Sequence, residues 1–392
     1  MCAQNSAQNF LYEGREQTLA KHILFGDYIK TLAYHILYSR DELVYVDGFS
    51  GPWESKDGNY SDTSFSIALK KLSEVRQHAE TTYKRKKIIR CLFIEENRSR
   101  CEQLKTYIQS NQLEGIHTEV LNGDFENLIS DIKKYVGNSF AFIFIDPTGW
   151  TGYSYDKIKP LFQQKGEFLI NFMFNDIKRF VGDEREKIKA SFEKLFGGGA
   201  WESELSDLEN AGITHEAAVV ELYCQRLRRI SSKLDWLVTY SPILHRTMDR
   251  SWFYLIYATT HLKGLQQFHK IREKSLEQYD EVRKVAAYKQ KTEKTGMSDL
   301  FGPAEIPEAT PLEELHSYSE KIGPERIVFF LQSKNEVKYS ALAKDILQLP
   351  AVTDKILHAW LKKMAQNNLI TLNRLMPRGG INENTLIKLK PQ

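Results

Sequence analysis

The chain has 392 residues, of which 42% are hydrophobic and 27% charged, with a formal net charge of +3. That length suits one large α/β domain with a smaller appendage, and the composition excludes wholesale disorder. The longest apolar runs, at residues 140–145 and 168–174, fall far short of the ~20 residues a membrane-spanning helix needs.

Residues 18–37 carry Leu19, Ile23, Ile29, Leu32 and Ile36 at helical spacing, so a helix is expected ahead of the first strand. A short strand at 43–46 then enters the turn Asp47-Gly48-Phe49-Ser50-Gly51-Pro52. Residues 54–62 read as a loop and 63–72 as a helix. A second strand at 88–94 ends in Glu95-Glu96, followed by a helix at 98–110, a third strand at 119–121 and a helix at 125–136. A fourth strand, 140–145, is continuously apolar, as required when both faces of a sheet are covered. It runs into Asp146-Pro147-Thr148-Gly149-Trp150, and a fifth strand is expected at 168–174. Helices at 183–196 and 214–230 flank Gly197-Gly198-Gly199, and two adjacent strands at 236–240 and 252–258 suggest an antiparallel pair at one edge. Strands alternating with helices imply an α/β, doubly wound, mostly parallel sheet. Seven strands with a terminal hairpin is the Rossmann-like pattern of class I methyltransferases.

A helix at 262–288 precedes a segment, 289–321, that carries Gly296, Gly302, Pro303, Pro307 and Pro311 and reads as a linker. The tail then reads as three helices (325–332, 339–347, 353–367) and two short strands around Pro377-Arg378-Gly379-Gly380, the plan of a winged helix-turn-helix. The division expected is therefore a methyltransferase-like domain at 1–288, a linker at 289–321 and a winged helix-turn-helix domain at 322–392. Charge is unevenly divided: from Glu325 onward there are eleven Lys/Arg against five Asp/Glu, so the rest of the chain is net acidic. A compact basic module points to a polyanionic partner. The third helix would present Lys355, Lys362 and Lys363, and the ribbon Arg374 and Arg378, to phosphates; a winged helix used for protein contacts is the other reading.

Four groups at successive strand ends carry the chemistry. Asp47 can receive the ammonium of a bound amino-acid moiety, while Gly48 and Gly51, with Phe49 and Ser50 between them, form a turn that lets a ligand approach the backbone. Glu95, or Glu96 beside it, can accept from both ribose hydroxyls of a nucleoside. Asp124 can accept from an adenine amine, or simply cap the following helix. In methyltransferases acting on exocyclic amino nitrogens an acidic or amide residue, two prolines and an aromatic occupy this place; Asp146 and Pro147 fit and suit the orientation of an acceptor group, but the second proline is absent and Trp150 lies one residue late, either stacking on a base or plugging the core. Lys21, His22 and Tyr28 on the first helix read either as a cover for the cofactor or, more simply, as helix surface; residues 171–179 leave the fifth strand toward the same edge, their polar members suited to an acceptor pocket and Phe172 and Phe174 to the core; and His261 and His269 lack a third metal ligand.

With Thr18, Lys21 and His22 ahead of the glycine turn, Phe93-Ile94-Glu95, Gly123-Asp124, Phe144-Ile145-Asp146-Pro147 and His261-Leu262-Lys263-Gly264-Leu265, the chain resembles the three-Cys-motif partner family over roughly residues 15–275. The resemblance implies a class I methyltransferase-like fold, often bacterial and encoded beside a protein with a three-cysteine motif. It implies no settled substrate. Trp53 departs from the glycine that many relatives carry after the proline.

The leading expectation is an S-adenosylmethionine-dependent methyltransferase acting on nucleic acid. The cofactor would lie across Asp47 to Gly51, Glu95 and Asp124, Asp146 would orient the acceptor, and the basic tail would hold the polymer. Two alternatives stand beside it: a non-catalytic nucleic-acid- or partner-binding accessory protein, favoured by Trp53, and a methyltransferase for a small molecule or protein. Cys2, Cys91, Cys101 and Cys224 show no metal-ligand or disulfide-framework spacing, and residues 1–17 show no signal-peptide pattern, so a cytoplasmic setting is expected.

Overall fold

The computed structural model describes residues 11–51, 55, 58–181, 185–295, 308–374, 376 and 379–390. Trp53 and Arg378 lie outside the described residues. The first half of the chain alternates as expected: α1 (Glu16–Ser39), β1 (Glu42–Asp47), α2 (Ser64–Tyr83), β2 (Ile88–Glu95), α3 (Arg98–Ser110), β3 (Ile116–Asn122), α4 (Ile129–Val136) and β4 (Ala141–Ile145). Then come α5 (Tyr155–Ile158), β5 (Gly166–Phe172), α6 (Phe174–Ile177), α7 (Glu186–Phe196), α8 (Trp201–Asn210), α9 (His215–Arg228), β6 (Leu237–Leu244), β7 (Ser251–Thr259) and α10 (Leu262–Thr295).

Seven strands form one sheet in the order β3-β2-β1-β4-β5-β7-β6. β1 to β5 run parallel, and β7 is antiparallel to both of its neighbours. This is an α/β doubly wound sheet, and it fits a class I methyltransferase-like fold. The strand order reverses between β1 and β4, which opens a crevice outside their carboxyl ends, where such sheets bind ligands.

The strands alternate their side chains between two covered faces. Leu43, Tyr45, Phe142 and Phe144 join Leu24, Phe25 and Leu72 on one face. Val44, Val46, Ile143 and Ile145 join Ile132, Phe192 and Val219 on the other. Each such fully buried side chain contributes about 1.5–3 kcal/mol relative to exposure.

Several elements depart from the sequence expectation: α2 runs on to Tyr83, and β5 ends at Phe172, so that residues 174–177 are helix. β3 is longer than 119–121, because its exposed edge position allows polar residues such as His117 and Asn122 in the strand. The three glycines at 197–199, all at positive φ, end α7 but are followed by α8, an acidic helix that buries only Trp201 and Leu205. Residues 125–128 form turns instead of helix, so α4 begins at Ile129.

Residues 289–295 and 310–321, expected within a linker, are helical: α10 runs to Thr295 and α11 (Thr310–Gln332) continues through Pro324. β8 (Val337–Lys338), α12 (Tyr339–Ile346), α13 (Asp354–Gln366), β9 (Ile370–Asn373) and β10 (Leu386–Leu389) follow, the strands pairing antiparallel in the order β8-β10-β9. This C-terminal unit is seated against α10 and the β6 edge. Leu347 O meets His269 Nε2 at 2.7 Å, Pro350 O accepts from Arg272, and Gln348 Oε1 accepts from Val238 N–H and Arg228 Nε at 3.1 and 2.9 Å.

At the amino end of β5, Glu167 is buried, with no ion pair to it among the described residues. Its carboxyl accepts from Tyr28 OH (2.6 Å) and Thr259 Oγ1 (2.9 Å), while Tyr257 OH meets Tyr28 OH. Burial raises its pKa, and the Tyr28 and Thr259 hydrogen bonds oppose that rise. Tyr28 is thus committed to the core and does not cover the crevice. Gly264 of α10 lies against the same group: a Cβ there would sit 2.5 Å from Glu167 Oε1 and from Tyr257 OH. Gly264→Ala should therefore cost about 1–3 kcal/mol of stability, as overpacking does, measured as a lower urea midpoint. Gly149→Ala, where a Cβ meets nothing within 4 Å, should leave the midpoint in place.

Candidate functional site

β1 ends at Asp47, and the turn after it is pinned on both sides. Gly48 N–H donates to Phe144 O (2.9 Å), Ser50 N–H to Ile94 O (2.7 Å) and Phe49 N–H to Asp47 Oδ1 (3.2 Å). Three successive amides are thereby committed inside the protein. Gly48 does not adopt positive φ. A Cβ at that position would lie 2.8 Å from the Phe125 ring, so the glycine serves the packing of Phe125, which also meets Phe49 at 5.4 Å. Ser50 is fully buried, its Oγ donating to Asp47 O at 2.9 Å, and Gly51 is buried beside it.

Asp47 is 0% exposed and accepts from Ser64 Oγ (2.7 Å) and Tyr45 OH (3.1 Å) besides the Phe49 amide. All three donors are neutral, and no ion pair to Asp47 occurs among the described residues. Burial pushes its pKa up to about 6; the Ser64 and Phe49 hydrogen bonds oppose this, and the charge of Asp146 adds to it.

Glu95, at the end of β2, is 1% exposed, whereas Glu96 is exposed, which separates the two candidates. Glu95 Oε1 accepts from Asn97 N–H at 2.7 Å. Its Oε2 is buried and has no hydrogen-bond partner among the described residues. Burial raises the Glu95 pKa, partly offset by the Asn97 amide. A buried carboxylate oxygen without a donor carries an energetic penalty, and a hydroxyl of a bound ligand would relieve it. Three residues further on, Arg98 lines a groove of about 900 Å³ beside α3, together with Tyr60 and Tyr107.

Asp124 is half-buried, and its Oδ1 accepts from the amides of Glu126 (2.8 Å) and Asn127 (3.3 Å). One oxygen is thus spent on holding the turn that follows β3.

The end of β4 is the most tightly arranged. Asp146 Oδ2 pairs with Lys21 Nζ of α1 at 2.5 Å, and its Oδ1 accepts from Asn171 Nδ2 of β5 at 2.6 Å. The sheet brings these two strand ends together, because Ile145 is in register with Ile170. The ammonium of Lys21 lies over the Phe253 ring, 5.9 Å from its centroid. Pro147 is buried. Trp150 runs to α7 instead: its Nε1 donates to Ser191 Oγ (3.0 Å), and its ring stacks on Phe192 at 8° and lies 5.1 Å from Phe180. Trp150 walls a cavity of about 360 Å³ with Glu126, Lys187 and Lys194.

From the sequence, Lys21 reads as helix surface or a cofactor cover, and Asn171 as one polar member of a segment that can line an acceptor pocket; neither reading pairs them with Asp146. Their role depends on contacts 125 and 25 residues apart in the chain, for which spacing gives no signal. His22 is buried against Tyr12 OH (2.8 Å), and burial lowers its pKa. His269 is spent on Leu347 O. No group of three or more metal-ligating side chains occurs among the described residues.

In the C-terminal unit Lys355, Lys362, Lys363 and Arg374 are all exposed. At the start of α13, Asp354 accepts from Tyr339 OH (2.5 Å) and Gln266 of α10 (2.9 Å), so that end of the helix faces the large domain.

No protein-family model and no curated protein matches the sequence. Among solved structures, a loganic acid methyltransferase with SAH is similar over 70% of this chain and 88% of that chain, at 10% identity and a TM-score of 0.29. A likeness that loose carries no functional argument. No helix among the described residues is long and apolar enough to cross a membrane.

The burial of Asp47 has a measurable sign. Its folded pKa lies above the unfolded value, so the stability it lends by taking up a proton is complete below about pH 4 and lost as pH rises through about 6. Lowering the pH from 8 to 5 should therefore stabilise the protein relative to its Asp47→Asn variant by on the order of 1 kcal/mol. Urea denaturation of both proteins at the two pH values measures the difference.

Proposed function

We propose that this chain is an S-adenosylmethionine-dependent methyltransferase acting on nucleic acid. The observation that carries the reading is the unpaired, buried Oε2 of Glu95, set on the same sheet edge as the Lys21–Asp146–Asn171 group across the point where the strand order reverses. A ribose hydroxyl would satisfy Glu95, and Asp47, buried among neutral donors, suits an ammonium. Phe49 and Gly51 flank the same turn, and the oxygen of Asp124 not used by its own turn is available to an adenine amine. The cofactor supplies a methyl group on a sulfonium, already a good leaving group. Alignment is then the main contribution left to the protein: Asp146, its two oxygens fixed by Lys21 and Asn171, orients the acceptor.

We read the C-terminal unit as a winged helix-turn-helix, with α13 as its third helix and β9–β10 as the ribbon. Exposed Lys355, Lys362, Lys363 and Arg374 support phosphate contact. Because the start of α13 is turned to α10, contact through its second half and the ribbon fits better than insertion of its first turn into a groove. The resemblance to three-Cys-motif partners adds a neighbouring three-cysteine protein as a candidate partner, and the scattered cysteines suit a cytoplasmic setting.

A second reading is favoured by two observations. The amides of residues 48–50 are spent inside the protein, and Trp150 is held by α7. Both suit an accessory protein that binds nucleic acid without transferring a methyl group.

The deciding experiment supplies methyl-labelled S-adenosylmethionine and cellular DNA, RNA and protein pools, with cofactor affinity measured separately. Label in nucleic acid that disappears in Asp146→Asn supports the first reading. Cofactor binding with label in no pool supports the second. Glu95→Gln should weaken S-adenosylhomocysteine binding by about ten-fold or more in calorimetry, while Asp146→Asn should leave that affinity nearly unchanged. For the tail, replacing Lys362 and Lys363 by alanine should lower the slope of log affinity against log salt by about 2 for duplex DNA. An unchanged slope would remove α13 from the interface.

A further inference from the structure

Two buried amide oxygens at the carboxyl edge have no donor among the described residues. Asn171 is 2% exposed and stands beside Asp146. Its Nδ2 donates to Asp146 Oδ1 at 2.6 Å and lies 3.3 Å from the Met173 sulfur, which fixes the oxygen as the other end of the amide. That oxygen is buried and accepts nothing. Asn175, four residues on in α6 and 4% exposed, also has a buried Oδ1 without a donor. Folded proteins keep few such atoms, because each forfeits its hydration with nothing in return.

We propose that Asn171, with Asn175, binds the acceptor through its N–H groups, and that the atom methylated is an exocyclic amino nitrogen of a nucleobase. This rests on the methyltransferase reading and names the acceptor atom for it. The choice among acceptors follows from counting hydrogens. An –NH2 group brings two donors and meets two acceptors on this edge, Asn171 Oδ1 and the Asp146 carboxylate. A hydroxyl brings one hydrogen and leaves one acceptor unsatisfied; a ring carbon brings none that bonds well. With both N–H groups held, the nitrogen lone pair is left for attack. The nitrogen forms a bond to the methyl carbon as the carbon–sulfur bond breaks, the electron pair of that bond stays on sulfur, and the nitrogen loses one proton to Asp146.

The test uses the full chain saturated with S-adenosylhomocysteine. Saturation-transfer NMR compares adenosine with inosine and cytidine with uridine, pairs that differ by an amino group against a carbonyl oxygen. Adenosine or cytidine should bind about ten-fold more tightly than its counterpart. Asn171→Leu should abolish that preference while S-adenosylhomocysteine affinity stays within about two-fold, and Asn171→Gln should restore part of it. If Asn171→Leu fails to fold, Asn175→Leu should weaken the preference in the same assay. In parallel, methyl label is offered to poly(A), poly(C), poly(I), poly(U) and a lysine-rich peptide, and should enter only poly(A) or poly(C). Equal binding of the paired nucleosides, or a preference that survives Asn171→Leu, overturns the inference and leaves the methyltransferase reading standing. Label on the peptide alone overturns the nucleobase assignment. Failure to bind S-adenosylhomocysteine overturns both.

Discussion

The carboxylate of Asp146 is held from two directions at once, by Lys21 from the helix before the sheet and by Asn171 from the neighbouring strand. Both side chains of the ion pair are mostly out of water, at 11% and 14% exposure. In such surroundings the pair gains little over an apolar contact, but losing one partner strands the other and costs about 3–5 kcal/mol. α1 is therefore locked to the carboxyl end of the central strand. Its apolar face comes with it: Phe25 lies 4.6 Å from Phe144 in a stacked arrangement, and Tyr28 reaches Glu167. One helix thus touches the sheet at both ends, with a charged pair near the crevice and a tyrosine–carboxyl group far from it.

Those two ends solve the same problem differently. Asp146 keeps a cation, while Asp47 and Glu167 are buried with hydroxyl and amide donors only. A carboxyl without a counter-charge pays for its place through a raised pKa. Such strain is tolerated where a function needs it or where surrounding packing enforces it. For Glu167 the packing is visible, since Gly264 leaves room for three oxygens to meet.

Much of this was legible from residue order. Continuous apolar runs placed β2 and β4, and acidic residues following them placed Glu95 and Asp146 at one edge, because a parallel sheet aligns its strand ends. At the two-glycine turn the structure shows a packing role that residue order did not: Gly48 makes room for Phe125, a contact between segments that periodicity does not connect. Lys21 and Asn171 looked ordinary because a lysine on a helix and an asparagine ending a strand acquire meaning only through their partners. α8 was hidden by its acidic surface and by the three glycines before it, which end one helix without preventing the next. A helix was expected only from residue 325, yet α11 begins at Thr310 and runs through Pro324, with Gly323 lying so close to Trp360 of α13 that a Cβ would overlap the ring.

Gln348 deserves a last consideration as a seam. By taking the Val238 amide it closes the outer edge of β6, and with Leu347 and Pro350 bound to His269 and Arg272 it rivets the C-terminal unit to the sheet. A module fastened in this way cannot swing like a tethered arm. The exposed side of α13 therefore stands at a set span from the crevice, and contacts made by one short stretch, residues 347–350, fix that span.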